Sequence, residues 1–135
     1  MKKIVFISDN FKRDYAGGGE SNDDNLINYL NSRCNLIKKH SRDIKIEDIA
    51  SCESVLVSNF ISLGDREKLY IQQNSDYVIY EHDHKYVTTR DPSKFYSFQA
   101  PANKIVNKAF YENANCVVVL SEICKEVLFK EYKER

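Results

Sequence analysis

Tyr77-Val78-Ile79-Tyr80 is a run of four β-branched or aromatic residues with no charged residue among them. Such a run reads as a strand buried on both faces. Parallel sheets require strands of that kind, because helices cover both sides and leave no solvated face for polar residues to alternate toward. The run stops abruptly in Glu81, His82, Asp83 and His84. In an open α/β sheet, ligands bind beyond the carboxyl ends of the strands. This tip is therefore the first place to expect chemistry.

Four other stretches repeat the pattern. Lys2–Ser8 is a solvated basic start followed by Ile-Val-Phe-Ile, Cys34–Lys38 is a short strand, and Ser54–Asn59 and Cys116–Leu120 are further buried strands. Helical periods separate them. From Glu20 onward Leu26, Ile27 and Leu30 share one face, with Ser, Asn and Asp on the other. Ile46–Ser51 makes a turn or two, with Ile46, Ile49 and Ala50 inward. Ser62, with Asp65 three residues on, has the form of a capping box opening a helix through Leu69 to about Gln73. Pro101 suits the first turn of a helix whose inner face is Ile105, Val106, Ala109, Phe110 and Ala114. Ser121 caps a last helix with Ile123, Cys124, Val127, Leu128 and Tyr132 on its apolar side.

Five apolar strands alternating with helices predict a single α/β domain over residues 1–135. It is a Rossmann-like, doubly wound parallel sheet with helices on both faces. Right-handed crossovers suggest the order 3-2-1-4-5. On that order the first and fourth strands are neighbours. The Gly17–Gly19 run and the Glu81–His84 tip then border one crevice, with Ser121 beside it.

Composition excludes several classes. Lys+Arg and Asp+Glu balance at 20 each, so no molecule-wide field draws the chain to nucleic acid or an anionic membrane. No apolar run approaches the roughly 20 residues needed to span a bilayer. Cys34, Cys52, Cys116 and Cys124 form no C-x-x-C pair and no zinc spacing, and each lies in or beside an apolar run. They read as small buried hydrophobes in a reduced, cytoplasmic protein.

Three features could carry chemistry. Gly17-Gly18-Gly19 opens a helix where backbone N–H groups attract anions and where a ligand can approach closely. It matches neither the dinucleotide fingerprint nor Walker A, and Glu20, Asp23 and Asp24 would repel a free phosphate. A plain turn and a ligand loop both remain open. In the second feature, alternation places His82 and His84 on one side and Glu81 with Asp83 on the other. A partly desolvated imidazole there could hold or exchange a proton with a substrate hydroxyl. Metal ligation is the rival use, but no further ligand cluster completes a set, and solvated residues closing a strand is the plain reading. The third feature is the long segment from Lys85 to Ala100, which interleaves Lys85, Arg90 and Lys94 with Tyr86, Phe95, Tyr96 and Phe98. Such a segment stacks on sugars or bases, lies against a membrane surface, or packs back onto the domain.

Taken in order, KIVFISD, GGGE opening a helix, YVIYEHD and NANCVVVLSEICKEVL resemble the N-terminal half of GT-B glycosyltransferases, particularly family four. In that family a strand leads to a glycine loop, a later strand ends in His-Asp, and a segment like Ala114–Glu122 follows. The resemblance covers nearly the whole chain. It implies two Rossmann-like domains facing across a cleft, the N-terminal one binding the acceptor and the C-terminal one a nucleotide-sugar. Gly18 and Gly19 would approach the donor diphosphate or the acceptor. His82 would sit near the reacting sugar as the catalytic-type residue, with Asp83 supporting it, and Ser121 with Glu122 would line the floor. Gly17, Glu20, His84, Lys85 and Arg90 complete the substrate-binding set expected on this reading. No metal and no cofactor is implied. Glu81 and His84 are not general features of the family.

The partners so implied are a nucleotide-sugar, a glycan or lipid-linked acceptor, and a donor-binding domain in cis or in trans. A peripheral contact at the inner membrane surface is compatible with a lipid-linked acceptor, and no nucleic acid is expected. The chain ends where the family crosses to its second domain. The expectation is thus an acceptor-side half, truncated or split, that transfers no sugar unaided. The main alternative is a non-catalytic module of the same fold holding a small polar ligand or a protein. A receiver-like reading fails on its pattern, because the third strand ends in Ser58-Asn59 and the fifth in Leu120-Ser121, with neither the acid nor the lysine required.

Overall fold

The computed structural model describes residues 2–14, 17–81 and 107–119. Five strands, β1 (Lys3–Ser8), β2 (Asn35–His40), β3 (Ser54–Val57), β4 (Tyr77–Tyr80) and β5 (Cys116–Val118), form one sheet in which every pairing is parallel. Four helices accompany them among the described residues: α1 (Gly18–Asn31), α2 (Ile46–Ala50), α3 (Asp65–Asn74) and α4 (Lys108–Glu112). The α/β, doubly wound architecture is the one expected.

The strand order is 2-1-3-4-5, not 3-2-1-4-5. β3 lies directly against β1, in register from Ile4↔Ser54 to Ile7↔Val57, and so separates β1 from β4. Burial explains the difference. β2 carries Lys38, Lys39 and His40, and Asn35 and Lys38 are exposed, so it suits an edge. Val55 and Val57 of β3 are buried and need a strand on each side. The topological switch point, where connections leave in opposite directions, therefore falls between β1 and β3.

Handedness then assigns the faces. The β1-to-β2 connection runs one way along the sheet and the later ones run the other, so right-handed crossovers put α1 on one side and the other described helices on the opposite one. The two cores agree with this. Val5, Ile7, Val55, Val57, Tyr77 and Ile79 pack with Ile49 of α2, Ile71 of α3, and Phe110 and Tyr111 of α4. The Tyr77 and Phe110 rings stack at 4.9 Å, and Phe60 tilts against Phe110 at 5.1 Å. On the opposite face Phe6, Phe11 and Ile27 form a smaller cluster, with Leu26, Leu36 and Leu56 against it. Leu26, Leu30, Leu56, Val78, Tyr80 and Val118 line an apolar groove beside α1.

Several local expectations shift. α1 starts at Gly18 with Gly17 as an extended N-cap, so Gly18 and Gly19 belong to its first turn and not to a loop. Ser62 does not cap α3: the helix starts at Asp65 with Gly64 as its extended N-cap, and the Ser62 N–H donates to Asp9 instead of to Asp65 as a capping box requires. Ala50 is exposed where it was expected inward. β5 is exposed at Cys116 and Val118 and half-buried at Val117, so it is not the fully buried strand its apolar run suggested. Cys34 is buried and Cys52 half-buried. No helix among the described residues is long and apolar enough to cross a membrane.

Candidate functional site

Side chains on the α1 face of β1 and β3 alternate with core residues, which brings Ser8 and Ser58 to the same side at the carboxyl edge. α1 crosses above them. Helical spacing of three puts Glu20 and Asp23 on one flank of α1, and both point down at the switch point. Ser58 Oγ donates to Asp23 Oδ1 at 2.7 Å, and Ser8 Oγ lies 3.4 Å from Asp23 Oδ2. Asp23 has no exposed surface. A carboxylate so enclosed persists because hydroxyl donors replace the water it lost.

One turn earlier, Glu20 reaches the rim. Asn59 Nδ2 donates to Glu20 Oε2 at 3.4 Å, joining the first turn of α1 to the residues just past β3. Asp9, immediately beyond β1, accepts the backbone N–H groups of Ile61 and Ser62, each at 2.9 Å. The Asp9 N–H in turn donates to the Asn59 carbonyl at 2.8 Å. The loop after β3 is thus pinned to the end of β1. A Cβ built on Gly18 would meet nothing within 4 Å, so the backbone here faces open space. No described glycine has a positive φ. What the glycine run contributes is access rather than an unusual turn.

The β4 tip opens on the same edge, since all strands run parallel. Tyr80 lies on the α1 face; burial raises its phenol above the ordinary value, and the Asp23 charge raises it further. Asp23 is therefore electrically close to the end of β4, even though β3 intervenes. Glu81 turns to the other face. It is buried, accepts the Tyr111 hydroxyl, and its N–H donates to the Val118 carbonyl at 2.8 Å. Glu81 is a structural tie to α4 and β5, not part of the mouth.

Of the residues singled out in the sequence, Gly17, Gly18, Gly19 and Glu20 lie at this rim. His82, Asp83, His84, Lys85, Arg90, Ser121 and Glu122 lie outside the described residues, as does Cys124. Asp9, Ser58 and Asn59 were not singled out for the site. Their signal was positional: each follows or ends a strand flanking the switch point, and only the correct order marks them. No group of three or more His, Cys, Asp or Glu able to hold a metal occurs among the described residues.

Known proteins do not extend this picture. No family model, curated protein or solved structure matches the chain. The chemistry must be read from the rim itself. It offers Glu20, a nearly buried carboxylate, the half-buried Asp9, one side-chain amide and an unobstructed stretch of helix backbone. That combination accepts and donates hydrogen bonds to a neutral, polyhydroxylated ligand better than it holds an anion.

Proposed function

We propose that this chain is the acceptor-binding half of a GT-B-type glycosyltransferase, in which a nucleotide-sugar held by a donor-side domain, in cis or in trans, meets a glycan or lipid-linked acceptor at the carboxyl edge of the sheet. The observation that carries the reading is the Glu20–Asn59 bridge beside the open Gly18 backbone at the switch point. Carboxylate and amide side chains at a helix start are suited to neighbouring sugar hydroxyls, and a glycine lets the ring approach the backbone. The order of sequence stretches shared with the family supports the same assignment. On this reading His82, with Asp83 behind it, serves the reacting hydroxyl, and Ser121 and Glu122 line the floor. The protein works in the cytoplasm, at the inner membrane surface when its acceptor is lipid-linked.

A second reading keeps the same rim for a small polar ligand without transfer, since a sheet of order 2-1-3-4-5 also receives ligands at its switch point.

Gly18→Leu tests the site. The new side chain meets no neighbour and replaces glycine inside a helix, so stability should hold or rise, by up to about 1 kcal/mol. Binding should fall, because the side chain fills the approach. In saturation-transfer NMR against a panel of mono- and disaccharides, the unmodified chain should show contacts that Gly18→Leu and Glu20→Gln lose. A folded chain with no saccharide contact would remove the transferase reading. Saccharide contacts that are equal in all three proteins would move the site elsewhere.

A further inference from the structure

A second concavity lies on the β2 side of α1, lined from that helix by Asp24 and Ile27. It is a cleft of about 230 Å³ between the segment after β1 and the end of β2. Phe11 and Ile27, both nearly buried, make its floor. Lys12 and Arg13 from the segment after β1, and Lys38 from β2, bring three cations to its walls. Lys38 Nζ stands 5.6 Å from the centre of the Phe11 ring, held there by the ring's negative face. His40 meets the same ring edge-on at 5.1 Å.

Two carboxylates also line the cleft, and both are committed. Asp14 Oδ2 accepts the Phe11 N–H at 3.1 Å and pairs with His40 Nε2 at 2.7 Å. The His40 bond, seconded by that N–H, holds the Asp14 carboxyl below its ordinary value. Asp24 Oδ2 accepts from Asn28 of its own helix at 3.4 Å. Among the described residues, Lys12, Arg13 and Lys38 have no carboxylate within ion-pair distance. His40 likewise leaves Nδ1 without a hydrogen-bond partner among them. Three cations against the two carboxylates Asp14 and Asp24 leave the lining with a net positive charge, and the low-dielectric floor focuses it into the cleft.

We propose that this cleft binds a small organic anion, a phosphate monoester or carboxylate on a compact apolar body, with the body on Phe11 and Ile27 and the charge between Arg13 and Lys38. The volume sets the size. It falls below the roughly 300 Å³ at which pockets begin to enclose drug-sized ligands, so a nucleotide-sugar does not fit and the site is separate from the rim beside Gly18. Arg13 offers a planar fork for two anion oxygens and Lys38 a point charge. His40, fixed by Asp14, is the neighbouring hydrogen-bonding group. The proposal does not depend on sugar transfer.

The test is an amide-resolved NMR titration of the whole chain at low ionic strength, using phenyl phosphate, benzoate and, as the ionic control, sodium chloride. Saturating shifts confined to Phe11–Asp14, Ile27, Lys38 and His40 are expected with one or both organic anions, and the tighter one names the charged group. Arg13→Ala combined with Lys38→Ala should weaken binding on the order of a hundredfold, since each lost charged hydrogen bond costs about a factor of ten. Arg66→Ala, an exposed cation on α3, should leave it unchanged. Shifts that never saturate, that chloride reproduces, or that survive the double substitution would overturn the proposal. If the double variant loses its dispersed spectrum, the chloride-matched titration of the unmodified chain decides.

Discussion

Asp23 is a carboxylate without exposed surface, and its hydrogen-bond partners include Ser8 at the end of β1 and Ser58 just past β3. Removing one donor leaves a buried acceptor short of a partner. Ser58→Ala should therefore lower unfolding free energy by about 1–3 kcal/mol, read as a reduced urea midpoint at unchanged slope. Tyr77 makes the complementary case. Its hydroxyl donates to the Phe110 carbonyl, and burial pushes its phenol up to about 12 from an ordinary 10. A raised folded-state value means that the folded chain holds the proton longer than the unfolded one. The associated stability is complete below pH 10 and is lost as pH rises through 12. Alkaline unfolding followed by circular dichroism should show that loss, and Tyr77→Phe should flatten it while costing about 0.5–1.5 kcal/mol at neutral pH for the missing hydrogen bond. An unaltered alkaline profile in the variant would show that another group governs it.

At the scale of elements, α3 depends on very little. Ile71 is its one buried side chain, whereas Leu69 is half-exposed. Ile71→Ala should cost about 2–5 kcal/mol and Leu69→Ala no more than about 0.5 kcal/mol, compared by urea unfolding. Equal costs would mean that α3 docks by a different face. Two residues apart, they lie on opposite sides of the helix, so only one of them can face inward, and only the packed sheet decides which. The same limit applies to α1. Its Leu26, Ile27 and Leu30 stripe was readable, but Asp23 and Glu20 looked like solvated first-turn acids. They are buried because the polar ends of β1 and β3 lie beneath them, a fact no window within the helix contains. The capping box expected at Ser62 fails for a related reason: the acceptor of its N–H is Asp9, a residue 53 positions away, and not Asp65.

At the scale of the whole molecule, the arrangement of strands places the chemistry. Amide-to-amide and amide-to-Hα Overhauser contacts should link Val5 with Val55 and Phe6 with Leu56, and none should join β1 directly to β4. Contacts between β2 and β3 would restore the other order and dissolve the switch-point rim. The sequence by itself determined that there are apolar strands alternating with helices, that their pairing is parallel, and that a glycine run opens the first helix at the sheet's carboxyl edge. These follow from local side-chain pattern and short connections, which a linear chain displays openly. Tertiary structure alone decided which strands are neighbours, which carboxylates leave water, and that Glu81 serves the far core while Glu20 reaches the rim. Such choices depend on the competition among strands for two-sided burial. The solvated lysines of β2 send that strand to the edge, and β3 takes the place beside β1.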